Sequence, residues 1–378
     1  GVAFLTQHLG ADAGCVISAS HNPAHDNGIK FFTHAGAKLL PEVEERIEAL
    51  LRSEIPAGPD RPARPGTPQP LHAAARLYAD FLRGTVAADL RGMHLVIDCA
   101  HGAAARIAPP LFRALGAEVS LLGARPDGRN INAGVGATHP EALSAAVLER
   151  SAHLGVAFDG DADRAIFVDE KGRVRNGDHV MYLLAEERHR EGRLPNDTVV
   201  GTVMSNLGAE RALARAGIRL ARAAVGDREV FALMQELGAV IGGEQSGHII
   251  LPEYLNTGDG ILTALQVVAA VCRSGKPLSQ LCAPVVTFPQ LLVNVPLAGG
   301  LDWRDGSPLG RALDEVREMV SPDGRLLVRP SGTEPILRVM VETPRADVLR
   351  AAEERILAAV PATGVKRQLL AGDDDEEG

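Results

Sequence analysis

The stretch Leu154–Val168, LGVAFDGDADRAIFV, reads as an apolar strand, a short acidic loop and a second apolar strand. Asp159, Asp161 and Asp163 alternate through that loop. Three carboxylates this close raise one another's pKa values unless a cation lies among them. Hard divalent cations prefer such oxygen ligands, and Mg²⁺ is commonly held by a few protein groups together with phosphate oxygens. Period-two spacing in an extended loop would point all three to one side. An EF-hand fits poorly, because its sixth position would be Arg164 rather than Gly and the strand from Ala165 leaves the loop too short. The other reading is a solvated turn.

Outward from this stretch, short apolar runs alternate with helical periods, which favours α/β architecture. His94–Cys99 is expected to be a strand, Ala104–Gly116 a helix and Val119–Leu122 the next strand, a βαβ unit. Thr198–Val203, a helix over 207–216 and Leu220–Val225 repeat the theme. A helix over Glu229–Leu237 and a strand at Ala239–Ile241 follow. Near the C-terminus, Leu326–Val328 and Leu337–Val341 bracket a Pro/Gly loop as strands, and 346–359 reads as a helix. Residues 56–70 hold six prolines, which lack an N–H and fix φ, so that stretch is a connection between domains.

Three times an apolar run ends in a polar, glycine- or serine-rich loop: CVIS into ASHNP, GVAF into DGDADR, and AVIG into GEQSGH. In open α/β sheets, ligands bind beyond the carboxyl ends of strands, so three such loops could converge on one cleft. Ser20 and His21 lie in the first loop. A serine is a poor nucleophile unless activated, and no GxSxG elbow is present. Such a serine could instead carry a phosphoryl group, adding a charge of about −1.5 to −2; a locally hydrogen-bonded turn is the alternative. In the third loop Glu244, Ser246 and His248 suit sugar hydroxyls or an amine. A fourth loop, RPSGTEP over 329–335, has the composition of a phosphate nest: Arg329, Ser331, Gly332 and Thr333, with Arg338 just beyond. It lacks the GK[ST] ending of a Walker loop.

Composition narrows the class. The chain of 378 residues is 46% hydrophobic and carries a net charge of −9, of which Asp373, Asp374, Asp375, Glu376 and Glu377 supply five charges, leaving −4 for the rest. An acidic body argues against nucleic acid as a partner, since phosphate backbones are bound by clustered Lys and Arg. Cys15, Cys99, Cys272 and Cys282 show no zinc-ligand spacing and read as free thiols of a reducing, cytoplasmic compartment. No apolar stretch is long enough to span a membrane. Gly1–Gly10 has neither a basic flank nor a long apolar run, so no signal peptide is expected.

ASHNP at 19–23, DGDADR at 159–164, GEQSGH at 243–248 and RPSGTEP at 329–335 together, in this order, resemble the α-D-phosphohexomutases. DNGIK at 26–30, VMSNLG at 203–208, VGDR at 225–228 and NTGDGI at 256–261 are further matches, so the resemblance spans essentially the whole chain. It implies three related α/β domains with mixed sheets and a smaller α+β C-terminal domain around a central cleft. On that basis residues 1–72 form the serine-bearing domain, 73–175 the metal-binding domain, 176–285 the sugar-binding domain and 286–370 the phosphate-binding domain, followed by an acidic tail over 371–378. Members normally carry several dozen residues before GVAFLTQ, so the first domain is expected to be incomplete at that side. Tyr254–Asn256 also departs from the Thr that members often show there.

The resemblance further implies that Ser20 is a phosphoserine, and that Asp159, Asp161 and Asp163 bind Mg²⁺ completed by the Ser20 phosphate. Glu244, Ser246 and His248 would hold the sugar, and Arg329, Ser331, Gly332 and Thr333 the phosphate not in reaction. Lys30 is the candidate acid/base, Arg164 a charge neutraliser, and His21 would orient the serine loop. GEQSGH is similar to the loop of bacterial members acting on glucosamine phosphate; members acting on glucose or mannose phosphates usually differ at Gln245. The implied reaction interconverts glucosamine 6-phosphate and glucosamine 1-phosphate through a bisphosphorylated sugar, feeding UDP-N-acetylglucosamine and cell-wall precursor synthesis. The alternatives are the same reaction on glucose or mannose phosphate, a magnesium phosphatase with an aspartate nucleophile, and an inactive chain that binds sugar phosphate. Exclusion of water by domain closure is expected. A sugar phosphate is the expected partner, and a homodimer is allowed for.

Overall fold

The computed structural model describes residues 1–53, 67–297, 301–304, 306–331, 334–360 and 364–370. Of the proline-rich stretch, 56–66 lies outside the described residues, while 67–70 has no regular structure. The acidic tail 371–378, Gly332 and Thr333 lie outside them too. The chain divides into two compact units, residues 1–205 with 216–283, and residues 206–215 with 284–378.

In the first unit, α1 (Val2–His8) leads into β1 (Ala13–Ser18), β2 (Gly28–Thr33) and α2 (Pro41–Arg52). β1 and β2 form an antiparallel pair with Ser18 opposite Gly28 and Val16 opposite Lys30. The serine loop is therefore the connection of a hairpin.

α3 (Ala74–Gly84) precedes β3 (His94–Asp98), α4 (Ala108–Ala114), β4 (Glu118–Leu122), α5 (Glu141–Glu149), β5 (Leu154–Phe158), β6 (Ala165–Asp169) and β7 (Val174–Arg175). These strands form one mixed sheet in the order β4-β3-β5-β6-β7. β3 runs parallel to β4 and β5, and β6 antiparallel to β5. Every residue of β5 and β6 is buried, which is why both read as continuous apolar runs. Leu143, Ala146 and Val147 of α5 pack on Val96, Ala157 and Val168. The expected helix over Ala104–Gly116 is broken. A 3₁₀ turn at Ala103–Arg106 comes first, and α4 begins only at Ala108, because Pro109 and Pro110 have no N–H to continue the preceding turn.

α6 (Gly177–Arg190), β8 (Thr198–Thr202), α7 (Leu207–Arg215), β9 (Arg219–Ala223), α8 (Asp227–Leu237), β10 (Gly242–Gly243), β11 (Ile249–Leu251), β12 (Leu255–Gly258), α9 (Gly260–Ser274) and α10 (Leu278–Cys282) follow. The second mixed sheet has the order β12-β11-β10-β8-β9. The strand expected at Ala239–Ile241 sits instead at Gly242–Gly243, where a Cβ at Gly242 would lie 2.3 Å from Met234 Sδ of α8. Close helix-on-strand packing selects glycine there, against the apolar signal that marks strands. The hairpins at 19–27, 159–164 and 244–248 all join antiparallel neighbours, so each of the three polar loops closes a hairpin.

The second unit contains α7, which the chain supplies from between β8 and β9, together with β13 (Gln290–Pro296), α11 (Pro308–Val320), β14 (Arg325–Pro330), β15 (Ile336–Glu342), α12 (Ala346–Ala358) and β16 (Lys366–Leu370). Its sheet is antiparallel in the order β14-β15-β13-β16. Val293, Leu337, Val339 and Val341 meet Leu313 and Val316 of α11 and Ile356 of α12 in its core. Among the described residues no helix is long and apolar enough to cross a membrane. Cys15, Cys99, Cys272 and Cys282 are free thiols.

Candidate active site

The serine loop is clamped to the acidic loop through main chain. Ser20 has φ +53°, a left-handed conformation that costs a non-glycine residue free energy and marks an over-determined position. Its carbonyl accepts hydrogen bonds from Gly160 N (3.0 Å) and Asn132 Nδ2 (2.7 Å). Asn132 also donates to Asn22 O at 2.8 Å and is itself left-handed, at φ +58°. A Cβ on Gly160 would stand 2.5 Å from Ser20 O, so this approach requires glycine. Ser20 Oγ is 3.4 Å from His21 Nδ1. Burial lowers the His21 pKa, helped by the Arg164 charge and opposed by Asp163 and Asp161.

Ligand oxygens of Asp159, Asp161 and Asp163 lie within 4.8 Å of one another. The convergence arises from a turn with Ala162 at φ +59°, not from the extended period-two spacing read in the sequence. Asp159 is fully buried, and Asp159 Oδ2, Asp161 Oδ1 and Asp163 Oδ1 are buried with no hydrogen-bond partner. Unpartnered buried carboxylate oxygens are costly, and a hard divalent cation satisfies them. Burial, then the charges of Asp163 and Asp161, push the Asp159 carboxyl well above its ordinary range. Burial raises Asp163 as well, but His248, Lys30 and Arg164 outweigh it and hold this carboxyl low.

Lys30 spans two of the three carboxylates. From β2 its Nζ reaches Asp161 Oδ2 at 2.7 Å and Asp163 Oδ2 at 3.1 Å. Burial alone would lower its pKa, yet these two charges and their hydrogen bonds raise it above the usual lysine value. Arg164 Nε stands 4.0 Å from both Asp159 Oδ2 and Asp163 Oδ1. A cleft of about 600 Å³ is lined by Ala19, Lys30, Lys38, His101, Asp161 and Asp163, among others.

The sugar-loop candidate closes on itself: Glu244 N donates to His248 O and Gly247 N to Glu244 O, each at 3.0 Å. Glu244 Oε1 accepts from Gly226 N (3.0 Å), and Ser246 Oγ donates to Glu244 Oε2 (3.2 Å). Ala165 N reaches Gly247 O at 3.1 Å, which ties this loop to the strand after the acidic loop. His248 is buried rather than open to solvent. Its Nε2 faces Asp163 Oδ2 at 3.8 Å and Asp227 Oδ2 at 3.7 Å. Asp227 in turn pairs with Lys38, and Arg228 with Glu44. The sequence pattern alone does not single out Asn132, Lys38 or Asp227 as site residues. Asn132 follows a Pro-Asp-Gly turn signal at 126–128, and Asp227 lies in the VGDR match.

In the second unit, Arg329 and Arg338 sit directly opposite across β14 and β15. Burial and the Arg338 charge lower the Arg329 pKa. Like charges in register are unfavourable without an anion. Ser331 N donates to Ile336 O at 2.9 Å, and Arg338 Nη2 approaches Glu334 Oε2 at 3.4 Å. Thus Ser20, His21, Lys30, Asp159, Asp161, Asp163, Arg164 and His248 are brought together with the loop of Glu244 and Ser246. Arg329, Ser331 and Arg338 form a separate cationic group.

The chain is similar to known proteins along most of its length. Models of the phosphoglucomutase/phosphomannomutase α/β/α domains I, II and III match residues 1–57, 76–172 and 176–288, and the C-terminal domain of that family matches 292–359. A phosphoglucosamine mutase of Anoxybacillus flavithermus is 49% identical over 365 residues, covering 95% of this chain and 81% of its own length. One from Bacillus mycoides is 48% identical, covering 96% and 81%. The crystal structure of a phosphoglucomutase/phosphomannomutase family protein of Burkholderia thailandensis superposes with a TM-score of 0.71 at 25% identity, covering 94% and 78%. The structure of Aspergillus fumigatus N-acetylphosphoglucosamine mutase, in complex with GlcNAc-6P and magnesium, gives 0.67 at 19% identity, covering 95% and 90%.

Proposed function

We infer that this chain, which belongs to the α-D-phosphohexomutase family, is a phosphoglucosamine mutase, an isomerase that interconverts glucosamine 6-phosphate and glucosamine 1-phosphate. The observation that carries the reading is the joining of Ser20 to the Asp159–Asp163 turn by a main-chain hydrogen bond, in a chain nearly half identical to mutases of that name. Ser20 is assigned as the phosphoryl carrier, and the three aspartates, with their unpartnered oxygens, as the holders of Mg²⁺. When bound, that ion supplies charge neutralisation for the transferring phosphoryl group.

The remaining roles fall to the chain's own side chains. Substrate binds with one hydroxyl facing Ser20. The phosphoryl group passes from Ser20 Oγ to that hydroxyl: the P–Oγ bond breaks, the P–O bond to the sugar forms, the hydroxyl gives its proton to solvent, and Ser20 Oγ takes one from Lys30, which solvent then reprotonates. Lys30, held protonated by Asp161 and Asp163, is the assigned donor of the proton to Ser20 Oγ. The bisphosphorylated sugar then turns, and its other phosphoryl group returns to Ser20 as the proton movements reverse. Arg164 offsets charge beside the aspartates, and His21 orients the serine loop. Glu244, Ser246 and His248 are assigned to the sugar side, and a phosphate-binding role to Arg329, Ser331, Gly332, Thr333 and Arg338. Catalysis of this kind rests on positioning and charge.

The domain division 1–72, 73–175, 176–285 and 286–370 is proposed alongside, supported by the four matched family segments. A cytoplasmic location is proposed on the free thiols. The test is intact mass and phosphopeptide mapping before and after incubation with glucosamine 1,6-bisphosphate and Mg²⁺, followed by assay of isomerisation. One phosphate on Ser20 and product formation are expected. An unmodified Ser20 with no turnover would refute the reading.

A further inference from the structure

We propose that Asp227, beside Glu244, selects the substrate by its C2 ammonium group, making it a specificity-determining residue of the reaction assigned above. The inference rests on the mutase reading and adds to it the means by which an amino sugar is told from its hydroxyl counterpart.

Asp227 opens α8 one residue after Gly226, whose N–H donates to Glu244 Oε1 at 3.0 Å. That single main-chain step sets two carboxylates at the edge of the sugar loop. Asp227 Oδ1 accepts from Arg228 N at 3.0 Å, which fixes the side chain. Asp227 Oδ2 pairs with the Lys38 ammonium, and Lys38 lines the 600 Å³ cleft. The protein itself thus seats a primary alkylammonium on this carboxylate, and the C2 amine of a hexosamine is the same chemical group. A second observation points to the same spot. His248 is buried, neither ring nitrogen has a hydrogen-bond partner, and Nε2 stands 3.7 Å from Asp227 Oδ2. The Asp227 side chain keeps 23% exposure, so a ligand can reach it.

A carboxylate accepts a charge-assisted hydrogen bond from an ammonium and only an ordinary one from a hydroxyl, and the former is roughly twice as strong. The selected group takes no part in bond making, so Asp227 governs which sugar is used rather than how phosphoryl transfer proceeds.

The experiment compares kcat/KM for glucosamine 6-phosphate and glucose 6-phosphate, with Mg²⁺, in the full chain, Asp227→Asn and Lys38→Met. In Asp227→Asn the amine-to-hydroxyl preference is expected to fall about 10- to 100-fold, as for loss of a hydrogen bond to a charged group. Lys38→Met, which removes the resident competitor for the carboxylate, should keep or raise the preference. An unchanged ratio in Asp227→Asn, or an equal loss on both sugars, overturns the inference. If Asp227→Asn fails to fold, collapse of the preference in Lys38→Met overturns it instead. A wild-type chain inactive on both sugars sinks the mutase reading, and this inference with it.

Discussion

The amide of Gly160 and the carbonyl of Ser20 lie 3.0 Å apart, so the acidic turn and the serine loop share a backbone hydrogen bond although 140 residues separate them. Gly160→Ala places a methyl group 2.5 Å from that oxygen. The strain should cost about 1–3 kcal/mol and slow Ser20 phosphorylation, as read by urea unfolding and by timed phosphopeptide mapping. Ser20→Ala should abolish labelling and turnover while remaining folded.

Asn132 supplies the second clamp. Asn132→Ala removes two hydrogen bonds, to Ser20 O and Asn22 O, and places alanine at φ +58°. Asn132→Gly removes the same bonds without the backbone strain. Both should lose phosphorylation rate, and only the alanine variant should carry the added backbone cost of about 1 kcal/mol. Equal melting temperatures for the two would contradict this account.

Divalent metal should bind at the aspartates and stabilise the fold. Titration with Mg²⁺ should raise the melting temperature in proportion to the logarithm of metal concentration above Kd. Asp161→Asn should weaken the calorimetric affinity and remove most of that rise. Chelation of the wild type should stop turnover and be reversed by added Mg²⁺. Full turnover in chelator would count against the assignment.

His179 gives a pH signature away from the site. Buried in α6, its Nδ1 bonds Asn176 Oδ1 at 2.9 Å and its Nε2 faces Arg175 at 3.3 Å, so it is neutral in the fold. Burial, then the Arg175 charge, lowers its pKa from 6.5 to about 3. The unfolded chain therefore binds a proton here that the folded chain does not. The resulting stability is full above pH 6.5 and lost as pH falls toward 3, at up to ~1.4 kcal/mol per pH unit. His179→Gln should flatten that part of the urea-unfolding profile between pH 7 and 4; an unchanged slope would refute it.

What the sequence disclosed depended on how each element meets its neighbours. β5 was read to its observed bounds because a strand buried on both faces leaves an unbroken apolar run between polar loops. β10 was misplaced because it consists of two glycines, chosen by the approach of α8 and carrying no strand signal. α9 passed unread, since a helix buried along nearly its whole length has no polar face and so no period. The residues of the aspartate turn were legible, but not the left-handed Ala162 that gathers them. Asp227 and Lys38 become site residues only through a pairing across 189 positions, which no local pattern encodes.

The three polar loops of the first unit each close a hairpin whose strands are held in register. Neither end of such a loop can drift without breaking its ladder, and the loops are stitched to one another through Gly160, Ala165 and Asn132. This part of the molecule behaves as a fixed bench. In the proposed cycle the workpiece is what must be turned round between the two transfers, and a half-rotated sugar that escapes would leave the assigned carrier Ser20 bare and the enzyme idle until a bisphosphate reloads it.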